Sequence, residues 1–325
     1  MQGPRISVAV LRGGPSSEYD VSLKSGDAVL RHLHPVKYAS RDILIDKEGI
    51  WHIGGSPRMP ENALKGIDVV VNALHGEYGE DGRVQRILEH LSVPYTGSDV
   101  LGSALAMNKA LAKKRLLWEG VKMPRHTLIR EERGVLDTQI AEAFRMIQLP
   151  LVIKPVSRGS SVGVSIVRNY HDLKSAVERA FEYSPVVLIE EFIEGREATC
   201  GVLENFRGWE LYPLLPVEIR PPEGKDFFDY DAKYSGKSRE LCPGEFTPNE
   251  MNTLQQLAAL AHRALGLRHY SRSDFIVSPK RGVYFLETNT LPGLTSESLL
   301  PKSLTASSCS MPEFLDHIID QALQR

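Results

Sequence analysis

Arg272-Ser273-Asp274-Phe275-Ile276-Val277 is followed, after the turn residues Ser278-Pro279-Lys280-Arg281-Gly282, by Phe285-Leu286-Glu287-Thr288-Asn289-Thr290-Leu291-Pro292-Gly293. Both segments are rich in aromatic, aliphatic and β-branched residues, and the stretch between them has the composition of a hairpin turn. Glu287 and Asn289 are two residues apart, so on a strand both point to one face. Folding the hairpin back brings Asp274 opposite residue 286 or 287, depending on whether the hairpin carries a bulge. Two carboxylates and an amide oxygen would then converge, with Arg272 beside them. Oxygen-only ligation of this kind suits Mg²⁺, which completes its shell with substrate phosphates. A solvated hairpin with an incidental salt bridge is the alternative that these residues alone leave open.

Other residues add to the case. Ser157-Arg158-Gly159-Ser160-Ser161-Val162-Gly163 lies between two strand-like runs. Its small residues free backbone N–H groups to form a concavity for phosphate oxygens, although an ordinary loop has the same composition. Lys154 lies inside an apolar strand, where an ammonium must either snorkel out or meet an anion such as phosphate. Lys109 is weaker, because Lys113 and Lys114 beside it read as a solvated face. Glu190-Glu191 and Glu197 could frame a base and ribose, or simply end a surface strand. Gly13-Gly14-Pro15-Ser16-Ser17-Glu18 follows the first strand, at the edge where open α/β sheets bind ligands, and Glu18 there could hold an ammonium. His75, in the glycine-rich run His75-Gly76-Glu77-Tyr78-Gly79-Glu80-Asp81-Gly82, reads for the same edge.

The elements that would position these groups alternate. Ile6–Leu11, Ile43–Ile45 and Asp68–Leu74 read as strands, with helices over Val21–Leu33 and Gly82–Leu91; the continuous apolar run at 68–74 is typical of a parallel strand buried on both faces. A single helix is expected over Leu101–Gly120. Leu151–Val156, Val164–Val167 and Pro185–Ile193 read as strands around a helix whose Leu173, Ala176, Val177, Ala180 and Phe181 share one face. Leu211–Ile219 reads as one strand, and 220–243 as a long polar segment. Thr247, Pro248 and Glu250 announce a capped helix that Gly266 stops.

Composition bounds the rest. The chain has 325 residues, 42% hydrophobic and 25% charged, with net charge −2. Two or three domains and a substantial core are expected. The charge balance offers no basic field for nucleic acid, and no apolar run is long enough for a membrane span. Met1–Arg5 shows no signal-peptide pattern. Cys200, Cys242 and Cys309 form neither a disulfide framework nor a zinc site, so a cytoplasmic location is the simplest inference. Neither a G-x-x-x-x-G-K-[ST] loop nor a G-x-G-x-x-G after the first strand is present.

Taken in order, these segments resemble the D-alanine–D-alanine ligases of the ATP-grasp superfamily. The resemblance rests on 13–18 with 21–26, Asn72–Gly76 with Gly79–Gly82, 94–98, Met107-Asn108-Lys109, 154–163, Tyr230–Tyr234, Arg272–Asp274, and 287–295 with Ser298-Leu299. It implies an ATP-grasp architecture: an N-terminal parallel-sheet α/β domain (1–100) and two α+β domains (101–195 and 196–325) sandwiching ATP. The implied reaction joins two D-alanines through a D-alanyl phosphate for peptidoglycan synthesis. By resemblance, Asp274, Glu287 and Asn289 hold two Mg²⁺ ions, which Mn²⁺ can replace. Lys109, Lys154, Ser161 and Lys233 meet phosphates, while Glu190, Glu191, Ile193 and Glu197 frame the adenosine. Glu18 takes the first D-alanine's ammonium near His75, and Ser160 and Tyr234 form a network with Glu18. Arg272 and the Gly293 N–H stabilise the tetrahedral intermediate; Ser298 and Leu299 receive the second carboxylate. The resemblance also implies a homodimer. Asn108 stands where Asp is commoner, Pro15 replaces a small polar residue, and Glu191 adds a second acid. Tyr234 favours D-alanine over D-lactate as second substrate. The alternatives are a sibling ligase joining D-alanine to D-serine, D-lactate or another amino acid, and a nucleotide-binding protein without catalysis.

Overall fold

In the computed structural model, which describes residues 4–157, 159, 162–220 and 239–324, the N-terminal apolar runs form a sheet. Strands β1 (Ile6–Gly13), β2 (Tyr38–Ile45), β3 (Trp51–Ile53), β4 (Ser56–Arg58) and β5 (Val69–Asn72) lie in the order β4-β3-β2-β1-β5, with β1 parallel to both β2 and β5. Helices α1 (Tyr19–His32), α2 (Pro60–Ala63) and α3 (Arg83–His90) complete the unit. All four residues of β5 are buried, as a strand covered on both faces requires. Val8, Val10, Val69 and Val71 enter a core with Val29, Phe314 and Ile318, while Ala9, Leu11 and Val70 pack on the other face with Val84 and Leu88. The first of these cores joins the N-terminal sheet to the C-terminal end of the chain.

The helix expected over 101–120 is two helices, α4 (Val100–Met107) and α5 (Lys109–Leu117). Asn108 breaks it. Its backbone is extended, its N–H closes α4 on Ala104 O, and its side-chain oxygen accepts the Leu111 N–H to cap α5. Short amide side chains favour this N-cap geometry over a helix interior. Asn108→Ala is therefore expected to lower stability by about 1 kcal/mol in urea unfolding. An unchanged midpoint would show that the cap contributes nothing.

Next, β6 (His126–Arg130), α6 (Leu136–Met146), β7 (Leu151–Pro155), β8 (Ser165–Val167), α7 (Leu173–Phe181) and β9 (Val186–Glu191) build an antiparallel sheet ordered β6-β9-β7-β8. Its core includes Ile140 of α6 and Leu173, Ala176, Val177 and Ala180 of α7, the helical face read from the sequence.

The third sheet contains β10 (Arg196–Phe206), β11 (Trp209–Pro213), β12 (Val217–Arg220), β13 (Arg239–Leu241), β14 (Tyr270–Ser278) and β15 (Gly282–Asn289), ordered β13-β12-β10-β14-β15 with β11 also on β10. The single strand expected over 211–219 is two, both antiparallel to β10: the pairing passes from Val202 with Pro213 to Thr199 with Val217, one residue out of register, with the Leu214 N–H bonded to Gly201 O between them. Helix α8 (Pro248–Ala264) has the expected Thr247–Glu250 capping box. Together with α4 and α5 it covers Phe275 and Phe285. Helices α9 (Leu299–Ala306) and α10 (Met311–Leu323) end the chain.

Candidate active site

The β14–β15 hairpin does carry a bulge. Arg272 pairs with Asn289 and Asp274 with Glu287, then the register shifts so that Phe275 faces Phe285. Leu286 is the extra residue, which settles the choice between 286 and 287. The shift keeps the aromatic pair in the core while four polar side chains share the opposite face. Asp274 accepts both Nε and Nη2 of Arg272 at 2.9 Å, Thr199 Oγ1 at 2.6 Å and Asn289 Nδ2 at 3.1 Å. Burial alone would lower the Arg272 pKa, but the charge of Asp274 and its bonds raise it, so the guanidinium stays protonated. Glu287 Oε2 lies 2.9 Å from Lys109 Nζ.

Behind this face, Glu190 is clamped between two lysines, with Lys113 Nζ 2.7 Å from Oε1 and Lys154 Nζ 2.7 Å from Oε2. Burial disfavours the ionised carboxylate, yet the two ammoniums hold its pKa below the usual range. The lysines differ. Lys154 keeps 14% of its side chain exposed and its pKa is raised, because attraction to Glu190 outweighs burial; Lys113 keeps 1% and burial lowers it. Lys113 is thus not the solvated residue expected from the sequence. It lies four residues from Lys109, on the same inward helix face, and only Lys114 is exposed. Lys113→Met is expected to destabilise the protein by about 3 kcal/mol in urea unfolding, since it removes one partner of a buried ion pair. Lys114→Met is the control, and equal effects would contradict this assignment.

The opposite wall comes from the N-terminal unit. Ser16 Oγ donates to His75 O and accepts the Glu18 N–H. Gly76 has φ +68°, a backbone conformation that strains a residue with a Cβ, and it passes close to Glu18: a Cβ there would lie 2.9 Å from Oε2, the movable end of that side chain. A Cβ on Gly159 would approach the same oxygen to 3.2 Å, which places Gly159 beside Glu18. His75 is buried, which lowers its pKa and favours the neutral ring. Ser298 is the residue before α9, and its Oγ lies 2.8 Å from Thr295 Oγ1.

Glu18, His75, Lys109, Arg272, Glu287, Asn289, Gly293, Ser298 and Leu299 line one cleft of about 700 Å³. Asp274 lies beneath Arg272 and is 7% exposed. Glu190 and Lys154 pair with each other and are not among the residues lining this cleft. Glu191 accepts the Arg125 N–H and pairs with Arg281 at 3.1 Å; Ile193 is buried; Glu197 lies on β10 opposite Ile276. Ser160, Ser161, Lys233 and Tyr234 lie outside the described residues. Sequence reasoning missed Lys113, Thr199, Ser25 and Glu80 as site residues; for Lys113, the i,i+4 spacing from Lys109 was the available signal.

The hairpin donors fit a hard divalent cation. They are two carboxylates and an amide on one face, and Arg272 and Lys109 sit against the carboxylates as positive charges. Among the described residues no group of three or more His, Cys, Asp or Glu gathers to hold a metal. The set would therefore need substrate oxygens or water to complete a shell, as Mg²⁺ sites commonly do.

Comparison with known proteins decides the family. The description "D-ala D-ala ligase N-terminus" matches residues 7–63 and 54–98, and "D-ala D-ala ligase C-terminus" matches 117–320. The chain belongs to the D-alanine–D-alanine ligase family. It is 42% identical to a D-alanine–D-alanine ligase of Syntrophobacter fumaroxidans, over 100% of both chains, and 40% identical to one from Geobacter sulfurreducens, over 97% of this chain and 93% of the relative. Among solved structures, the VanG D-Ala:D-Ser ligase of Enterococcus faecalis superposes with a TM-score of 0.85 and 31% identity, covering 98% of this chain and 100% of that one. The D-alanine–D-alanine ligase of Coxiella burnetii gives 0.82 and 28%, covering 99% and 94%. The expected ATP-grasp fold is therefore present, and this family member is an ATP-dependent ligase. Among the described residues no helix is long and apolar enough to cross a membrane.

Proposed function

We propose that this ligase joins two D-alanines into D-alanyl-D-alanine through a D-alanyl phosphate, in the cytoplasm, for peptidoglycan precursor synthesis. The observation that carries the reading is the opposition of Asp274 and Glu287 beside Arg272 and Lys109, in a cleft whose other wall presents Glu18. Its units are proposed as domains 1–100, 101–195 and 196–325, assembled as a homodimer, with no nucleic-acid partner.

Glu18 holds the ammonium of the first D-alanine, with neutral His75 nearby. The carboxylate oxygen of that D-alanine attacks the γ-phosphorus of ATP and ADP leaves. Lys109 and Lys154 neutralise charge spreading over the phosphoryl oxygens. Bound Mg²⁺, two ions held by Asp274, Glu287 and Asn289 and replaceable by Mn²⁺, would add positive charge at the phosphates. Glu191, Ile193 and Glu197 frame the adenosine together with the backbone at Glu190, whose carboxylate stays between Lys113 and Lys154. Ser298 and Leu299 seat the second D-alanine, whose deprotonated amine attacks the acyl carbon. Arg272 and the Gly293 N–H stabilise the oxyanion, and the C–O bond to phosphate breaks as the peptide bond remains. Ser160, Ser161, Lys233 and Tyr234 keep the phosphate and closing roles that the family resemblance gives them.

The test is incubation with ATP, Mg²⁺ and D-alanine, following phosphate release and identifying the product by mass. D-alanyl-D-alanine with stoichiometric phosphate is expected. A mixed product only when D-serine or D-lactate is supplied would instead make the chain a sibling ligase, the activity named for the VanG neighbour. No phosphate with any D-amino acid would overturn the reading.

A further inference from the structure

Segment 290–294, which follows β15 and carries Gly293, is gripped from the N-terminal unit. Glu80 Oε2 accepts the Leu291 N–H at 3.2 Å and Thr290 Oγ1 at 3.4 Å, while Oε1 accepts the Gly76 N–H at 2.9 Å. His75 Nδ1 lies 2.8 Å from Leu291 O; a carbonyl can only accept, so Nδ1 carries the proton. His75 Nε2 then accepts from Ser25 Oγ at 2.8 Å, and Ser25 Oγ accepts the Leu294 N–H at 3.2 Å. Both peptide groups of Leu291 are thus capped by side chains 211 and 216 residues away.

We propose that Glu80, with Ser25, is a positioning residue for the ligation step. Through Thr290, Leu291 and Leu294 the two fix where the Gly293 N–H stands over the cleft. Gly293 lies between the pinned residues, and a Cβ on it would come within 2.7 Å of Ser298 Oγ, so its backbone already abuts the residue assigned to the second substrate. An unsupported loop would let that N–H drift, and a misplacement of about 1 Å at an oxyanion donor costs about 100-fold in rate. Glu80 is 9% exposed, and its surroundings are balanced: burial and then the charge of Glu18 push it up to about 7, while the Gly76 and Leu291 N–H groups and Arg272 oppose the shift. A carboxylate kept under that tension, accepting from both loops, is better explained by what it holds than by its own stability.

The inference rests on the proposed role of Gly293. Glu80→Gln keeps the shape but sets an NH₂ group against an N–H donor. Its kcat for dipeptide formation is expected to fall about 100-fold, with KM for ATP and affinity for a non-hydrolysable ATP analogue unchanged. Rapid quench should show the first equivalent of ADP formed as fast as in the wild type while dipeptide formation slows, because the oxyanion develops only in the second step. If Glu80→Gln does not fold, Ser25→Ala, which releases Leu294, carries the same test with a smaller loss. An unchanged kcat, or first-turnover ADP formation and dipeptide formation slowing together, would overturn the proposal. Wild-type protein that makes no product from D-alanine would instead defeat the function on which it rests.

Discussion

Glu287→Gln is expected to reduce turnover by about a thousand-fold or more, with the protein still folded. The substitution removes one negative charge and little volume. Glu287 stands opposite Asp274 and 2.9 Å from Lys109 Nζ, on a strand whose pairing is made by backbone groups that the change leaves alone. Its side chain keeps 23% exposure, so an amide there can still be solvated. The loss therefore falls on cation and phosphate binding rather than on folding. Phosphate release, read beside circular dichroism and thermal unfolding, checks both halves. A near-normal rate would remove Glu287 from the proposed metal site.

Arg272 gives the second large effect. Its guanidinium donates two parallel bonds of 2.9 Å to Asp274, a fork that lysine cannot reproduce. Arg272→Lys is expected to lower kcat by about 100- to 1000-fold, with a smaller change in KM for ATP. Arg272→Met should in addition destabilise the fold by about 3 kcal/mol, because it takes the paired cation from a largely buried Asp274. Steady-state kinetics with urea unfolding separates the effects. A lysine variant with full kcat would mean that charge alone, without the fork, suffices at this position.

The hairpin was legible because its chemistry repeats at the strand period between strong turn residues; only the bulge needed the structure, since it depends on how Phe275 and Phe285 pack. The α8 cap was legible for a similar local reason. Strand β10 was not. Glu197, Thr199, Gly201 and Glu204 interrupt any apolar run, and its strand state comes from partners on both sides, β12 and β14. Lys113 was misread because a lysine-rich helix looks solvated until Glu190, from a strand far along the chain, is brought to it. The grip of Glu80 and His75 on Leu291 spans more than two hundred residues, and no local pattern in the sequence announces it.

In the proposed reaction the first substrate's carboxylate is phosphorylated before the peptide bond forms. D-alanine labelled with ¹⁸O in its carboxylate tests it most directly, with mass analysis of the phosphate released during turnover. One labelled oxygen should appear in each phosphate, carried from the carboxylate through the acyl phosphate. Unlabelled phosphate alongside dipeptide would show that the peptide bond forms without a D-alanyl phosphate.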